Sequence, residues 1–509
     1  MPDAAAATTG ASVLRSGIWS VASKSLPQLF GLAVSITGAR ILGASGFGRQ
    51  SYIAFVAASV IYLLGLGIPL SVMRQVGESV GAGRAMQARG LVRWSWRFAF
   101  AGSIVGFVAI LVVALSGARP EAAWVLAAFI VAIGVLTQIP DAVISGLQRW
   151  RDSSIIVLCA SGLGTVTTVA VLEAGGGITG MVAVQLAVSC GIFAAMMPIA
   201  RRRLGQIAPG IEDPGALRGR TLRYAGSVIT GSLFTLVVFR RSELFFLDHY
   251  GSSRDIALYS VAFSLMSALV LIPQSLATVV APAVATIFGG GQTERIRSGY
   301  SRALRLLLLV GLPVVAAGLI LGPELLTVMF GRAFRGSRIP LLILLAPFPL
   351  IPLMNATFSL IVGLGKMRFP LVAGAGTVAL NVTLDLALIP HYHVNGAAIA
   401  NASAQGVTAI TILFYGVRLV GGVRWHARSL VRMLLCSFSA GAAAWGVLSV
   451  LKGGAGGLVA GAAAGLAVFV TVASFLGVLP GEDARWLGEE FGSALGGAVG
   501  RVVRRLEVR

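Results

Sequence analysis

Charge is scarce in this chain of 509 residues: 12% of them are charged, about half the share of an ordinary soluble domain. Acidic residues are scarcer still, 19 against 40 basic ones, and only Lys24, Lys366 and Lys452 among the basic residues are lysine. The scarcity is uneven. No charge falls between Ser153 and Leu172, nor between Gly175 and Ala200. Such runs exclude a water-facing surface and suit helices crossing a hydrocarbon core about 30 Å thick. The alternating segments of about ten residues that mark a transmembrane barrel are absent. Cysteine is nearly missing. Cys159, Cys190 and Cys436 lie inside apolar runs with no CxxC spacing, which excludes a thiolate metal site and predicts three small buried side chains. There is no Walker loop, dinucleotide fingerprint or HExxH, and His391 and His393 form an isolated pair at a helix end. With loops this short, enzyme chemistry ranks low; we expect no enzyme activity and no bound cofactor or metal.

What the chain has is apolar surface, 56% hydrophobic residues and a mean hydropathy of +0.88. Apolar runs divided by turn and charge signals predict an all-α polytopic membrane protein with fourteen spans: 17–41, 51–71, 98–116, 122–144, 153–172, 178–199, 224–248, 256–282, 303–322, 338–363, 370–390, 395–417, 430–451 and 456–479. The first run reads as an uncleaved helix. The tail from Pro480 carries Trp486, Leu487 and Phe491, then Val499, Val502, Val503 and Leu506 among arginines, the pattern of an interfacial amphipathic helix. With the N-terminus inside, alternate loops and the tail hold 29 basic residues and the opposite side holds 8. That asymmetry predicts cytoplasmic termini and turns the net charge of +21 into topology rather than nucleic-acid binding.

Two internal matches occur at similar offsets. Ile144 to Arg151 aligns with Ile361 to Arg368, 217 positions on; Gly81, Gly83, Arg89 and Arg97 align with Gly289, Gly291, Arg297 and Arg305, 208 on. They predict two parallel six-helix repeats, spans 1–6 and 7–12, with spans 13 and 14 appended. The expected divisions are an N-terminal lobe over 1–222, a C-terminal lobe over 223–423, helices 13 and 14 over 424–479, and the tail over 480–509. In the last span Gly453, Gly457, Gly461 and Gly465 recur every fourth residue, a flat ridge for helix contact.

Ionisable groups inside spans are costly, about 2.5–3.5 kcal/mol on insertion scales, and point to a wet cavity or a partner. Span 7 reads Phe239-Arg240-Arg241-Ser242-Glu243, then Asp248. On a continuous helix Arg240 would pair with Glu243 three residues on, leaving Arg241 for a cavity. Lys24 and Arg40 sit at the two ends of span 1, each suited to snorkelling or to a ligand. Asn381 and Asp385 share a face of span 11; Asp141 and Asn355 also lie within spans. Glu243, Asp248 and Asp385 are the candidates for proton or sodium coupling. Pro27, Pro140, Pro273, Pro282, Pro313, Pro347, Pro349 and Pro352 interrupt spans and predict kinks.

The segment Ala39-Arg40-Ile-Leu-Gly43-Ala-Ser-Gly-Phe-Gly48, then Tyr52, resembles the opening motif of the polysaccharide-transporter branch of the multidrug/oligosaccharidyl-lipid/polysaccharide (MOP) exporters. Tyr259-Ser-Val-Ala-Phe-Ser, Pro273, Pro282, Phe330-Gly331, Ile361 to Arg368, Asn381 and Gly396 to Ala400 are similar to the same family. The resemblance runs from about residue 17 to 420. It implies a MOP/MATE-like fold and a flippase moving undecaprenyl-diphosphate-linked oligosaccharides across a bacterial inner membrane, beside glycosyltransferases and a polysaccharide polymerase. By analogy with the related lipid II flippases, whose cationic cavity uses helices 1, 2 and 7, it implies Lys24, Arg40 and Arg240 or Arg241 as diphosphate contacts. A lipid II flippase and a drug or cation antiporter are the rival readings. The antiporter fits less well, since it calls for an acidic cavity and span 7 is basic.

Overall fold

The computed structural model describes residues 10–65, 67–81, 85–205, 241–288, 293–364, 368–423 and 426–479, with single positions 218, 219, 221, 222, 225, 366 and 483 beside them. Every regular element among them is helical. In order these are α1 (Gly10–Leu64), α2 (Ile68–Gly81), α3 (Ala85–Leu115), α4 (Glu121–Gly146), α5 (Trp150–Glu173), α6 (Gly177–Gly205), α7 (Glu243–Tyr250), α8 (Ser253–Phe288), α9 (Thr293–Phe330), a 3-10 turn (Arg332–Ser337), α10 (Arg338–Leu345), α11 (Leu350–Gly363), α12 (Arg368–Leu419), α13 (Ala427–Val450) and α14 (Gly454–Leu476).

Ten of the described helices are long and apolar enough to cross a membrane, and the bent pair α10–α11 adds another. Two of them exceed any bilayer. The 55 residues of α1 and the 52 of α12 would each rise about 80 Å if straight, so each holds two spans. The breaks fall at Gly43 (φ 68, ψ 178) and His393 (φ 46, ψ −120). Counting both arms gives thirteen spans. The fourteenth, predicted over 224–248, lies mostly outside the described residues.

Three boundaries differ from expectation. The second span stops at Leu64, and α2 is a separate amphipathic helix: Ile68, Val72 and Val76 are buried on one face while Arg74 pairs with Glu78 at 2.8 Å on the other. Span 10 is broken by 44° between α10 and α11, where Pro347 and Pro349, on either side of Phe348, each remove a helical donor. Pro140 and Pro313 sit inside α4 and α9 without ending them. Span 7 is not one helix to Asp248, because Arg241 takes a left-handed φ of 62 and α7 begins at Glu243.

The chain forms two compact units, Met1–Ser260 and Val261–Arg509. In the first, α2, α3, α4 and α6 share a core through Val72, Val76, Ala88, Val92, Val143 and Met196. In the second, Leu304, Leu307, Leu360, Met433, Cys436 and Leu479 do the same. Large apolar side chains also line the outside, Phe475 at 87% and Phe438 at 77% exposed, which water would penalise and lipid favours. Cys436 is buried as expected. Cys159 and Cys190 are exposed, because small residues on outward faces of α5 and α6 meet the surroundings instead of a neighbouring helix.

The internal matches correspond to the same local structures. Ile144 accepts from the Arg149 N–H at 3.0 Å, and Ile361 accepts from the Lys366 N–H at 3.1 Å, 217 positions on. The first of these closes a Schellman turn with Gln148 left-handed (φ 57). Arg89 donates from Nε to the Leu204 carbonyl (2.7 Å) and from Nη2 to that of Gly205 (2.8 Å). Its counterpart Arg297 donates from Nε to the Gly422 carbonyl at 3.1 Å. Each arginine thus ties the helix of the third span of its half to the end of the sixth. In the appended pair, Gly461 and Gly465 lie 3.1 Å, measured from where a Cβ would stand, from the Ala444 and Ala440 carbonyls of α13. Gly453 is no part of that ridge, since its φ of 77 makes it the turn before α14.

Candidate functional site

The charged centre of the first unit is built on a helical hairpin seated against the second arm of α1. Gly251 ends α7, and Ser252 caps α8 through a reciprocal box. The Ser252 N–H donates to Asp255 Oδ2 (2.9 Å) and Ser252 Oγ accepts from the Asp255 N–H (3.3 Å). The hairpin fits because residue 48 is glycine: a Cβ there would overlap the Ser253 carbonyl. Only a bare backbone permits that approach.

Glu243, fully buried, opens α7, where a negative charge suits the helix N-terminus. The equally buried Tyr259 donates from its hydroxyl to Glu243 Oε2 at 2.9 Å. Arg241, half-buried, precedes it by two residues, and its carbonyl accepts from the Leu244 N–H. Further along α7, exposed Asp248 interacts with the Tyr52 side chain of α1. Tyr52 also meets Trp124 of α4 (ring centroids 6.1 Å apart) and Phe245 of α7 (6.4 Å), and Phe55 meets Phe245 at 4.8 Å. One end of the unit therefore gathers the α1 bend, the start of α4 and the α7–α8 turn. At the other end α2 packs on the last turn of α4, with Gly77 and Gly146 in close approach, and Arg89 holds α6.

The remaining predicted residues are dispersed or undescribed. Arg40 is exposed on α1, three residues before the Gly43 break. Arg240 lies outside the described residues, and with it the expected Arg240–Glu243 pair. Lys24 is in α1, with its side chain outside the description. The amphipathic tail is likewise undescribed except at Asp483. Asp385 is fully buried in the second unit and accepts from Asn381 Nδ2 at 2.8 Å, so the two residues expected to share a face of span 11 bond within one helix. Asn401 and Gln405 form a similar pair on the other arm of α12 (2.6 Å). Asp141 accepts from Ser153 Oγ at 2.8 Å, a link across the α4–α5 turn. Among the described residues no group of three or more His, Cys, Asp or Glu is placed to hold a metal ion.

Sequence reasoning missed Tyr259 as the partner of Glu243 and Tyr52 as the partner of Asp248. Both tyrosines stand in the motifs quoted above, but nothing local says what they touch. It also missed a buried clasp. Asp483, fully buried, accepts from Arg302 Nε (2.8 Å), Arg305 Nε (2.7 Å) and Arg305 Nη2 (3.0 Å). Burial alone would raise the Asp483 carboxyl, but the hydrogen bonds and charges of Arg305 and Arg302 hold it below the ordinary carboxylate range.

Comparison with known proteins gives one consistent family. The pattern of the family described as polysaccharide biosynthesis protein matches residues 39–338. A proposed O-antigen transporter of Shigella flexneri is 21% identical over 409 residues, 76% of this chain and 94% of that protein. Among solved structures, the lipid II flippase MurJ in an inward-closed conformation superposes with a TM-score of 0.70 at 12% identity, over 90% of this chain and 98% of that one. An inward-facing multidrug resistance MATE transporter of the MOP superfamily gives 0.67 at 16% identity, over 78% and 95%. A MOP superfamily transporter from Pyrococcus furiosus gives 0.60 at 18%, over 81% and 96%. These three likenesses are of fold.

Proposed function

This chain belongs to the polysaccharide biosynthesis protein family, a family of membrane transporters rather than enzymes, and from that premise we propose that it is a flippase for an undecaprenyl-diphosphate-linked oligosaccharide. It moves the lipid-linked sugar from the inner to the outer leaflet of the bacterial cell membrane by alternating access, with both termini cytoplasmic. The observation that carries this reading is the family match over 39–338 together with the likeness to an O-antigen transporter across 94% of its length.

The physics agrees. A diphosphate head does not cross hydrocarbon unaided, and guanidinium forks match phosphate oxygens. Arg241, Arg240, Lys24 and Arg40 are the contacts we assign to it. An inside-negative potential drives an anion outward by about 2.3 kcal/mol per charge per 100 mV. Coupling to protons or sodium would add to that drive through Glu243, Asp248 or Asp385, and Glu243 is suited to it by its burial against a tyrosine hydroxyl.

The test is translocation of a fluorescent undecaprenyl-diphosphate oligosaccharide in vesicles reconstituted with the full chain. We expect transport by the natural protein and at least a tenfold loss in the Arg240→Ala, Arg241→Ala double variant, the worth of one charge-assisted contact of about 1.5–3 kcal/mol. Normal transport by a folded double variant would remove the assignment. Transport of lipid II alone would favour the peptidoglycan reading.

A further inference from the structure

A groove of about 480 Å³ opens in the first unit between α3, α4 and α6, at the end where α4 finishes. Its walls have a direction. Along α3 it is lined by Val92, Trp96 and Phe100, one side chain per turn. Along α6 it is lined by Phe193 and Met197, then by Arg201. Leu136 and Val143 of α4 close it between them. The aromatic rings of Phe100 and Phe193 lie toward one end, and aliphatic side chains continue to the other through Val92, Val143 and Leu204. Among the described residues of the lining Arg201 is the charged one, and it stands at that second end. Phe193 and Arg201 are eight residues apart, about 12 Å of helix rise.

The groove adjoins a strongly apolar outer stripe. Phe100 is 55% exposed, and Ile104 (64%), Val108 (50%) and Val112 (59%) continue from it along α3, four residues apart. Such a stripe suits hydrocarbon better than water. Arg201 is exposed and begins the run Arg201-Arg202-Arg203, so that end carries positive charge, and among the described residues no carboxylate lines the groove.

We propose that this groove holds an anionic diacyl phospholipid from the leaflet at the Arg201 end. One acyl chain lies between Trp96 and Met197, and the headgroup phosphate is on the Arg201 guanidinium. The volume of about 480 Å³ holds part of such a lipid, one chain rather than both. A guanidinium fork suits a phosphate, whereas a zwitterionic headgroup would bring its own cation beside Arg201. A free phosphate would leave the apolar walls unused. The lipid would join three helices of one unit and stabilise them by mass action. This proposal stands on the membrane fold and is independent of the cargo.

The experiment measures lipid retention by native mass spectrometry, and thermal unfolding, on the purified full chain in detergent. Phosphatidylglycerol and phosphatidylcholine of the same acyl chains are added in parallel. The natural protein should retain one phosphatidylglycerol and unfold at a higher temperature with it. Arg201→Ala should weaken retention roughly fivefold, the usual worth of one basic residue at an anionic surface. Arg151→Ala, an exposed arginine of α5 outside the groove, should leave retention unchanged. Water-soluble glycerophosphoglycerol, the headgroup without its chains, should not shift unfolding. Equal retention of phosphatidylcholine, equal retention by Arg201→Ala, or an equal shift from the headgroup alone would each overturn the proposal.

Discussion

Gln148 holds a left-handed φ of 57 at the end of α4, a conformation that costs a non-glycine residue about 1–2 kcal/mol. The matching position in the second half, residue 365, is glycine. Gln148→Gly should therefore stabilise the protein by about 1 kcal/mol, less the extra entropy of an unfolded glycine, and thermal unfolding in detergent measures it. Asp483 makes the opposite case. Its carboxyl is held below the usual range when folded, so its stabilising contribution is complete above the unfolded value of about 3.9 and lost as pH falls through the folded one. Asp483→Asn should cost about 1.5–3 kcal/mol at neutral pH. The gap to the natural protein should stay constant from pH 8 to 5 and close only under stronger acid. At this scale the sequence names the charged types well, because an ionisable group inside an apolar run is conspicuous. It is silent on partners: Asp483 and Arg305 stand 178 positions apart, and no periodicity connects them.

Helices were legible where hydrophobicity alone decides, which is why thirteen of the fourteen expected spans have counterparts among the described elements. So were most of their breaks: Gly43 and His393 fall in the gaps expected between spans 1 and 2 and between spans 11 and 12, the second just after Pro390, and proline marks the α10–α11 bend. The start of α7 was hidden, because a left-handed residue is a choice of tertiary context and Arg241 looks like any residue of a continuing span. Close helix approaches give the clearest element-level prediction. Gly48→Ala would drive a methyl into the Ser253 carbonyl, and backbone cannot swing aside as a side chain can. The variant should lose about 1–3 kcal/mol and weaken the seat of α7. Unfolding midpoints would register the first effect, and protease cleavage near Gly251 the second.

For the whole molecule, the excess of basic residues on alternate loops predicts an orientation that the first unit makes easy to test. The Gly48, Trp124 and Ser253 regions gather at one end of it, and the Arg89, Gly146 and Gly205 regions at the other. Ser116→Cys and Arg254→Cys, placed in a protein whose three cysteines are replaced by alanine, should react with a membrane-impermeant maleimide in intact cells. Arg151→Cys should react only after permeabilisation, and the reverse pattern would invert the topology. The buried clasp has a further meaning in time. Arg302 and Arg305 are made long before Asp483, whose carboxylate joins them only after α14 has been made. The second unit thus acquires its lock later than the helices it closes. A premature stop between α14 and Asp483 would release a chain with every described span in place and that lock missing, a product for quality-control proteolysis to find.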